Sequence, residues 1–354
     1  MATPASTRHI PSLDGIRALS FLVVFAGHAG FVNLVSADLG VTVFFFLSGY
    51  LITTLLRSEF ERNGRVRIDR FWMRRMLRIL PPLYLVVLGA VLLSRVLNPR
   101  GIVSGSTLAA QLFFYANYEG IYGVNREAPG TGVVWSLAVE EHFYLLFPWL
   151  YVGMQKLRMS RNQQAGLLWA LCVSILVWRF VLVLIMHSTS ARIYLATDTR
   201  VDAILAGCAL AVWKNPVLDE PWGTRRHWKM YLLPLGMALI ISSLLLRGEV
   251  FRQTWYFSLQ EVALTLLFAS AIRFHDWPIF RLLNWKPVAF VGVLSYSLYL
   301  THDVVLEAIH RVAPLLHGAP RAVVALLVSF AAASLIFVLI EKPCAELRRR
   351  LSNR

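Results

Sequence analysis

Two side chains in the apolar stretch "LDGIRALSFLVVFAGHAGFV" (13–32) belong to types that do chemistry, Arg17 and His28. Their spacing of eleven residues returns to within about 20° of the same helix face, about 16 Å further along the axis. A guanidinium binds anions as a bidentate fork. An imidazole serves as a general base near neutral pH when a carboxylate holds its tautomer. In "GVVWSLAVEEHFYLLFPWL" (132–150) Glu140 falls about 12 Å into its helix, close to the depth of His28, so Glu140 or another carboxylate is expected to orient that base. Glu141 points about 100° away. Arg75 and Arg78, in "RRMLRILPP" (74–82), share a face at i, i+3, with Arg74 beside them. Asp198, Arg200 and Asp202 lie in "YLATDTRVDAILAG" (194–207), and His302 and Asp303 in "LSYSLYLTHDVV" (294–305). Together they outline an internal polar path that an anion enters from one end.

The elements that must hold these groups are membrane helices. The chain has 354 residues, 57% hydrophobic and 16% charged, against about 25% charged in soluble domains. Apolar runs of roughly 17 to 25 residues predict ten spans, near 13–35, 39–57, 79–97, 132–154, 165–187, 198–214, 230–247, 254–273, 288–312 and 320–340. Most of the 35 Lys and Arg then fall in loops on one side, so the positive-inside rule makes both termini cytoplasmic. The first apolar run lacks a cleavage site and is read as a retained helix, not a signal peptide. The segment 98–131 is apolar but too short and polar-ended to cross, and is expected to be an interfacial or re-entrant element on the outer side. The expected fold is an all-α integral membrane protein, a single domain over 1–354, multi-pass in a bacterial cytoplasmic membrane.

Composition excludes several classes. The net charge of +15 is interrupted by apolar and aromatic runs, so no continuous basic face for nucleic acid forms. Cys172, Cys208 and Cys344 have neither disulfide-framework nor ligand spacing, and no metal site is expected. Each polar group also has a plainer reading. Arg75 and Arg78 anchor at lipid headgroups, Arg17 snorkels, His28 is a packing histidine, Glu140 and Glu141 pair with Arg179 or Arg200, and Asp202 pairs with Arg200. Charged groups at membrane depth cost about 2.5 to 3.5 kcal/mol each, which favours functional readings.

The ordered motifs resemble the membrane acyltransferase-3 family, the OafA-type O-acyltransferases of envelope polysaccharides and natural products. The Arg17-x10-His28 opening, "GVTVFFFLSGYLITTLL", the Arg75-x-x-Arg78 block, "WSLAVEEHFYLLFP" with Glu140, "TDTRVDAILAG", "LSYSLYLTH" and "EKP" at Glu341 follow in the family's order. His142 stands where the family often has Gln. The resemblance implies an acyl-CoA donor, most often acetyl-CoA, used as a substrate with no tightly bound cofactor, and a hydroxyl acceptor on a carbohydrate or secondary metabolite. His28 and Glu140 become the catalytic pair, Arg17, Arg75 and Arg78 the donor contacts, and Arg74, Arg200, Asp202, His302 and Glu341 their support. No SGNH-type domain follows the tenth span, so transfer finishes in the membrane domain or passes to a separate extracytoplasmic transferase. Direct transfer and a covalent acyl-enzyme, for example on Ser136, both remain open. A proton-coupled transporter of an anionic substrate is the alternative from another class; the halves lack the matched Gly/Pro interruptions such proteins often carry. Acceptor identity and acyl length are not legible.

Overall fold

A backbone crossing hydrocarbon can satisfy its N–H and C=O groups only internally, and the apolar runs accordingly fold as helices. The computed structural model describes residue 10 and residues 12–31, 36–97, 103–123 and 127–352. The expectations for the extreme termini, residues 1–9 and 353–354, lie outside the described residues. The helices are α1 (Leu13–His28), α2 (Ala37–Asn63), α3 (Ile68–Leu97), α4 (Gly105–Leu112), α5 (Ala116–Tyr122), α6 (Val134–Lys156), α7 (Arg161–Ile185), α8 (Ser190–Leu195), α9 (Thr197–Arg200), α10 (Asp202–Val212), α11 (Arg225–Leu245), α12 (Glu249–Gln253), α13 (Trp255–Arg273), α14 (Pro278–Arg281), α15 (Lys286–Val312) and α16 (Gly318–Leu351). No strand occurs among the described residues.

Seven of these, α2, α3, α7, α11, α13, α15 and α16, are long and apolar enough to cross a membrane. Three expected spans fall short of that measure. α1 has 16 residues and stops at His28, and residues 32–35 of its expected span lie outside the described residues. α6 has 23 residues but carries Glu140, Glu141 and His142 in its N-terminal half. The span expected at 198–214 is divided at Val201 into α9 and an 11-residue α10, whose length is about 16 Å against about 30 Å of hydrocarbon. The described part of 98–131 folds as α4 and α5, which pack on α3, α6 and α8. Gln111 donates to Thr131 Oγ1 at 2.7 Å and Asn117 to Thr197 Oγ1 at 3.0 Å, so this segment is tied to protein.

α10 is the hub. All eleven of its residues are buried, and it packs on α2, α7 and α13. Its crossing with α2 is glycine on backbone in both directions. A Cβ on Gly49 would lie 1.8 Å from the Ile204 carbonyl oxygen, and one on Gly207 would lie 2.0 Å from that of Phe46. Any larger residue at either position forces the helices apart.

At the end expected to be cytoplasmic, Asp219 ties three helices. Arg57 of α2 and Arg161 of α7 both donate to its carboxylate, the latter at 2.7 Å, and Arg273 of α13 donates to its carbonyl at 2.9 Å. Arg57 also caps α10, donating to the Ala211 and Val212 carbonyls at 3.1 Å each, where the helix dipole is negative. Within α6, Pro148 has no N–H to offer the Tyr144 carbonyl one turn back. Trp72 of α3 fills that role through Nε1 at 3.0 Å, turning a helix defect into an α3–α6 contact.

Candidate functional site

α1, α2, α3, α6 and α15 surround a cavity of about 100 Å³. Arg17 enters it from α1, Arg75 and Arg78 from α3, and Glu140, Glu141 and Tyr144 from α6. Arg17 is held by Asp14 one turn earlier on its own helix. The Arg75 guanidinium lies over the rings of Phe71 and Tyr144, at 5.8 and 5.5 Å from their centres. Among the described residues, neither Arg75 nor Arg78 has a carboxylate oxygen within 4.0 Å. The expected grouping of Arg17, Arg75 and Arg78 is therefore present in space.

Glu140 is not where it was expected to act. Its carboxylate accepts from Ser48 at 2.7 Å and from Tyr144 at 3.2 Å, and it faces the Arg75 and Arg78 charges rather than His28. Helical rise gives a position along α6 and says nothing of lateral position in a bundle. Glu141 shares the cavity despite its rotation, because the cavity wraps around α6, and its buried Oε1 has no hydrogen-bond partner. Neither acid pairs with Arg179 or Arg200.

His28 lies at the C-terminal end of α1, outside the cavity lining and with its side chain about a third exposed. His302 meets it: His28 Nδ1 and His302 Nε2 are 2.9 Å apart, and the rings are nearly parallel at 9°. Asp303 Oδ1 stands 3.9 Å from the same His28 nitrogen. Between this group and the cavity stands Tyr299, one turn or about 5 Å before His302 on α15. Its hydroxyl is 2.8 Å from Ser136 Oγ, its ring packs edge-on against Phe44 at 5.8 Å, and all three residues line the cavity. The cavity thus runs from an arginine mouth to an aromatic and hydroxyl wall just below the imidazole pair.

The remaining expected site residues serve other places. Arg74 turns to Glu59 of α2 at 3.4 Å. Glu341 accepts from Ser297 of α15. Asp202 pairs with Arg179 at 2.6 Å, not with Arg200, because α7 brings Arg179 across to the start of α10. Arg200 instead lies over the Phe257 ring at 3.7 Å and donates to Thr42 at 3.2 Å. His142, which the sequence left without a partner, is 2.7 Å from Thr197 Oγ1. Two contributors escaped the sequence reading. Ser48 gives no signal within its apolar run. Arg348 sits on the α16 segment that packs on α3 and adds its charge to those of Arg74, Arg75 and Arg78.

A constellation of this kind recurs in known proteins. A family model described as an acyltransferase domain matches residues 10–340. O-acetyltransferase OatA of Staphylococcus aureus is 29% identical over 84% of this chain and 50% of its own length. Peptidoglycan O-acetyltransferase OatA of Listeria monocytogenes is 29% identical over 96% of this chain and 56% of its own. The chain spans about half the length of the curated relatives it matches. No solved structure matches it. The family match runs from the residues before α1 through most of α16 and so takes in every wall of the arginine cavity: the chain belongs to the acyltransferase-3 family of multi-pass membrane enzymes.

Proposed function

We propose that this protein is an O-acyltransferase of a bacterial cytoplasmic membrane, moving an acyl group, most simply acetyl, from acyl-CoA to a glycan hydroxyl. One observation carries the reading: three arginines that among the described residues have no carboxylate partner beyond Asp14 converge on a cavity that ends one helical turn short of an imidazole pair. Phosphates of the donor would meet Arg17, Arg75 and Arg78, with Arg348 adding charge at the mouth. The pantetheine arm would lie along the cavity and bring its thioester to the Tyr299 end. Glu140, fixed by Ser48 and Tyr144, shapes the cavity and balances the arginine charge; it does not orient the base. His28, with His302 and Asp303 beside it, takes the acceptor's hydroxyl proton. The acceptor oxygen bonds to the acyl carbon, the C–S bond breaks, and the proton returns to the departing thiolate. General-base help of this kind is worth about 10²- to 10⁴-fold.

The Listeria relative's name points to peptidoglycan as one acceptor class, and we take an envelope glycan as the acceptor here. A separate extracytoplasmic transferase is an alternative destination for the acyl group. Purified protein in detergent should bind acetyl-CoA, and dephospho or desulfo analogues should separate the phosphate contacts from the thioester. Absence of binding by the folded protein would overturn the donor assignment. Deleting the gene and weighing envelope glycans should reveal a lost acyl mass that names both acyl group and acceptor.

A further inference from the structure

The ring nitrogens of His28, at the C-terminal end of α1, and of His302, midway along α15, fix one another's protons. His302 is fully enclosed, with Phe21 edge-on at 5.8 Å and Phe25 at 6.3 Å. Its Nδ1 lies 2.7 Å from the Tyr299 carbonyl oxygen and 3.2 Å from that of Leu298. A carbonyl oxygen only accepts, so His302 Nδ1 carries the proton and, in the neutral ring, Nε2 keeps its lone pair. That lone pair faces His28 Nδ1 at 2.9 Å, so His28 Nδ1 is the donor and its own Nε2 is left basic.

We propose that His302 is a positioning residue for His28, holding it in the Nδ1–H tautomer with Nε2 directed at the acceptor hydroxyl. The inference rests on His28 being the base. Asp303, at 3.9 Å, lies beyond hydrogen-bond distance of that Nδ1 and supplies charge for the imidazolium, not orientation. A neutral imidazole suits this position because it accepts a hydrogen bond without burying an anion among Phe21, Phe25 and Leu298. During transfer the acceptor proton arrives at and leaves from His28 Nε2, while the Nδ1–H stays on His302 throughout.

Two variants and one spectrum test this in the full chain. His302→Phe keeps the ring but has no acceptor, while His302→Gln places a carbonyl oxygen near the lost Nε2. With labelled acetyl-CoA in membrane vesicles that hold the native acceptor, His302→Phe should lower kcat about 10- to 10³-fold with KM for acetyl-CoA unchanged. His302→Gln should stay within about tenfold of the parent. Nitrogen-15 NMR of histidine-labelled protein should show a protonated Nδ1 and an unprotonated Nε2 on neutral His28. Parental turnover by His302→Phe, or a His28 proton on Nε2, would overturn the assignment. An active His28→Ala would sink the base reading instead, and the spectrum, which needs no turnover, would still decide the tautomer.

Discussion

Arg179 of α7 and Asp202 of α10 form an ion pair of 2.6 Å that solvent does not reach, with the buried Glu261 of α13 beside them. Removing one partner of a buried pair strands a charge and costs about 3 to 5 kcal/mol, whereas replacing both with apolar residues is often neutral. Arg179→Met and Asp202→Leu should each lower the unfolding temperature in detergent, and the double variant should recover most of the loss. Equal or additive losses in the double variant would show that the pair is not the source.

Removing the His28 imidazole should affect chemistry and little else. Its side chain is a third exposed at a helix end, so His28→Ala should insert and melt like the parent while transfer falls about 10²- to 10⁴-fold. Turnover near the parent's would remove His28 from the reaction.

Arg75→Gln and Arg78→Gln should act on donor binding. Each charge-assisted contact to phosphate is worth about 1.5 to 3 kcal/mol, roughly 10- to 100-fold in affinity. Titration with acetyl-CoA should show that loss, smaller against a donor lacking the contacted phosphate. Unchanged affinity in both variants would leave these arginines as lipid anchors.

The loop before α6 offers a test outside the charged groups. Gly130 has φ +76° and lies so close to α15 that a Cβ would come within 2.5 Å of the Asp303 carbonyl carbon. Alanine there is strained in backbone and in contact. Gly130→Ala should push the loop off α15 beside Asp303 and lower turnover without weakening acetyl-CoA binding at the far end of the cavity.

Asp219 sets an acid limit. Its burial alone would raise its pKa, but hydrogen bonds and charge from Arg57, helped by Arg161, hold it below the ordinary 3.8. A depressed carboxylate stabilises the fold above its unfolded value and loses that contribution as pH falls through the folded one. Stability should therefore drop below about pH 4, and Asp219→Asn should flatten that part of the curve while lowering stability at neutral pH.

Much of the site's length was legible and little of its cross-section. The eleven residues from Arg17 to His28 set a distance along one helix, and α1 keeps Arg17 at the cavity and His28 at the outer end. The Arg75–Arg78 spacing likewise survives folding, because i, i+3 is a property of the helix alone. His28 and His302 are 274 residues apart, and nothing local specifies which helix faces which. The same gap leaves Glu140 with Ser48 and Tyr144, Asp303 as the carboxylate beside His28, and Asp202 with Arg179 rather than Arg200, since position along a helix does not make neighbours. The span expected at 198–214 is longer than α10 because the polar Thr197–Arg200 forms a separate turn, and the break at Val201 is set by packing rather than by composition.

The brevity of α10 bears on how the protein is made. Eleven residues, about 16 Å long and enclosed on every side, give the insertion machinery no lipid-facing stripe by which to release them. α2 and α7 precede α10 in the chain and can receive it at once, through the Gly49–Gly207 crossing and the Arg179–Asp202 pair. α13 closes the remaining side and is synthesised later. Until residues 255–273 arrive, the side of α10 that α13 covers stays open, so a nascent chain stopped before them should be the natural substrate of membrane quality control.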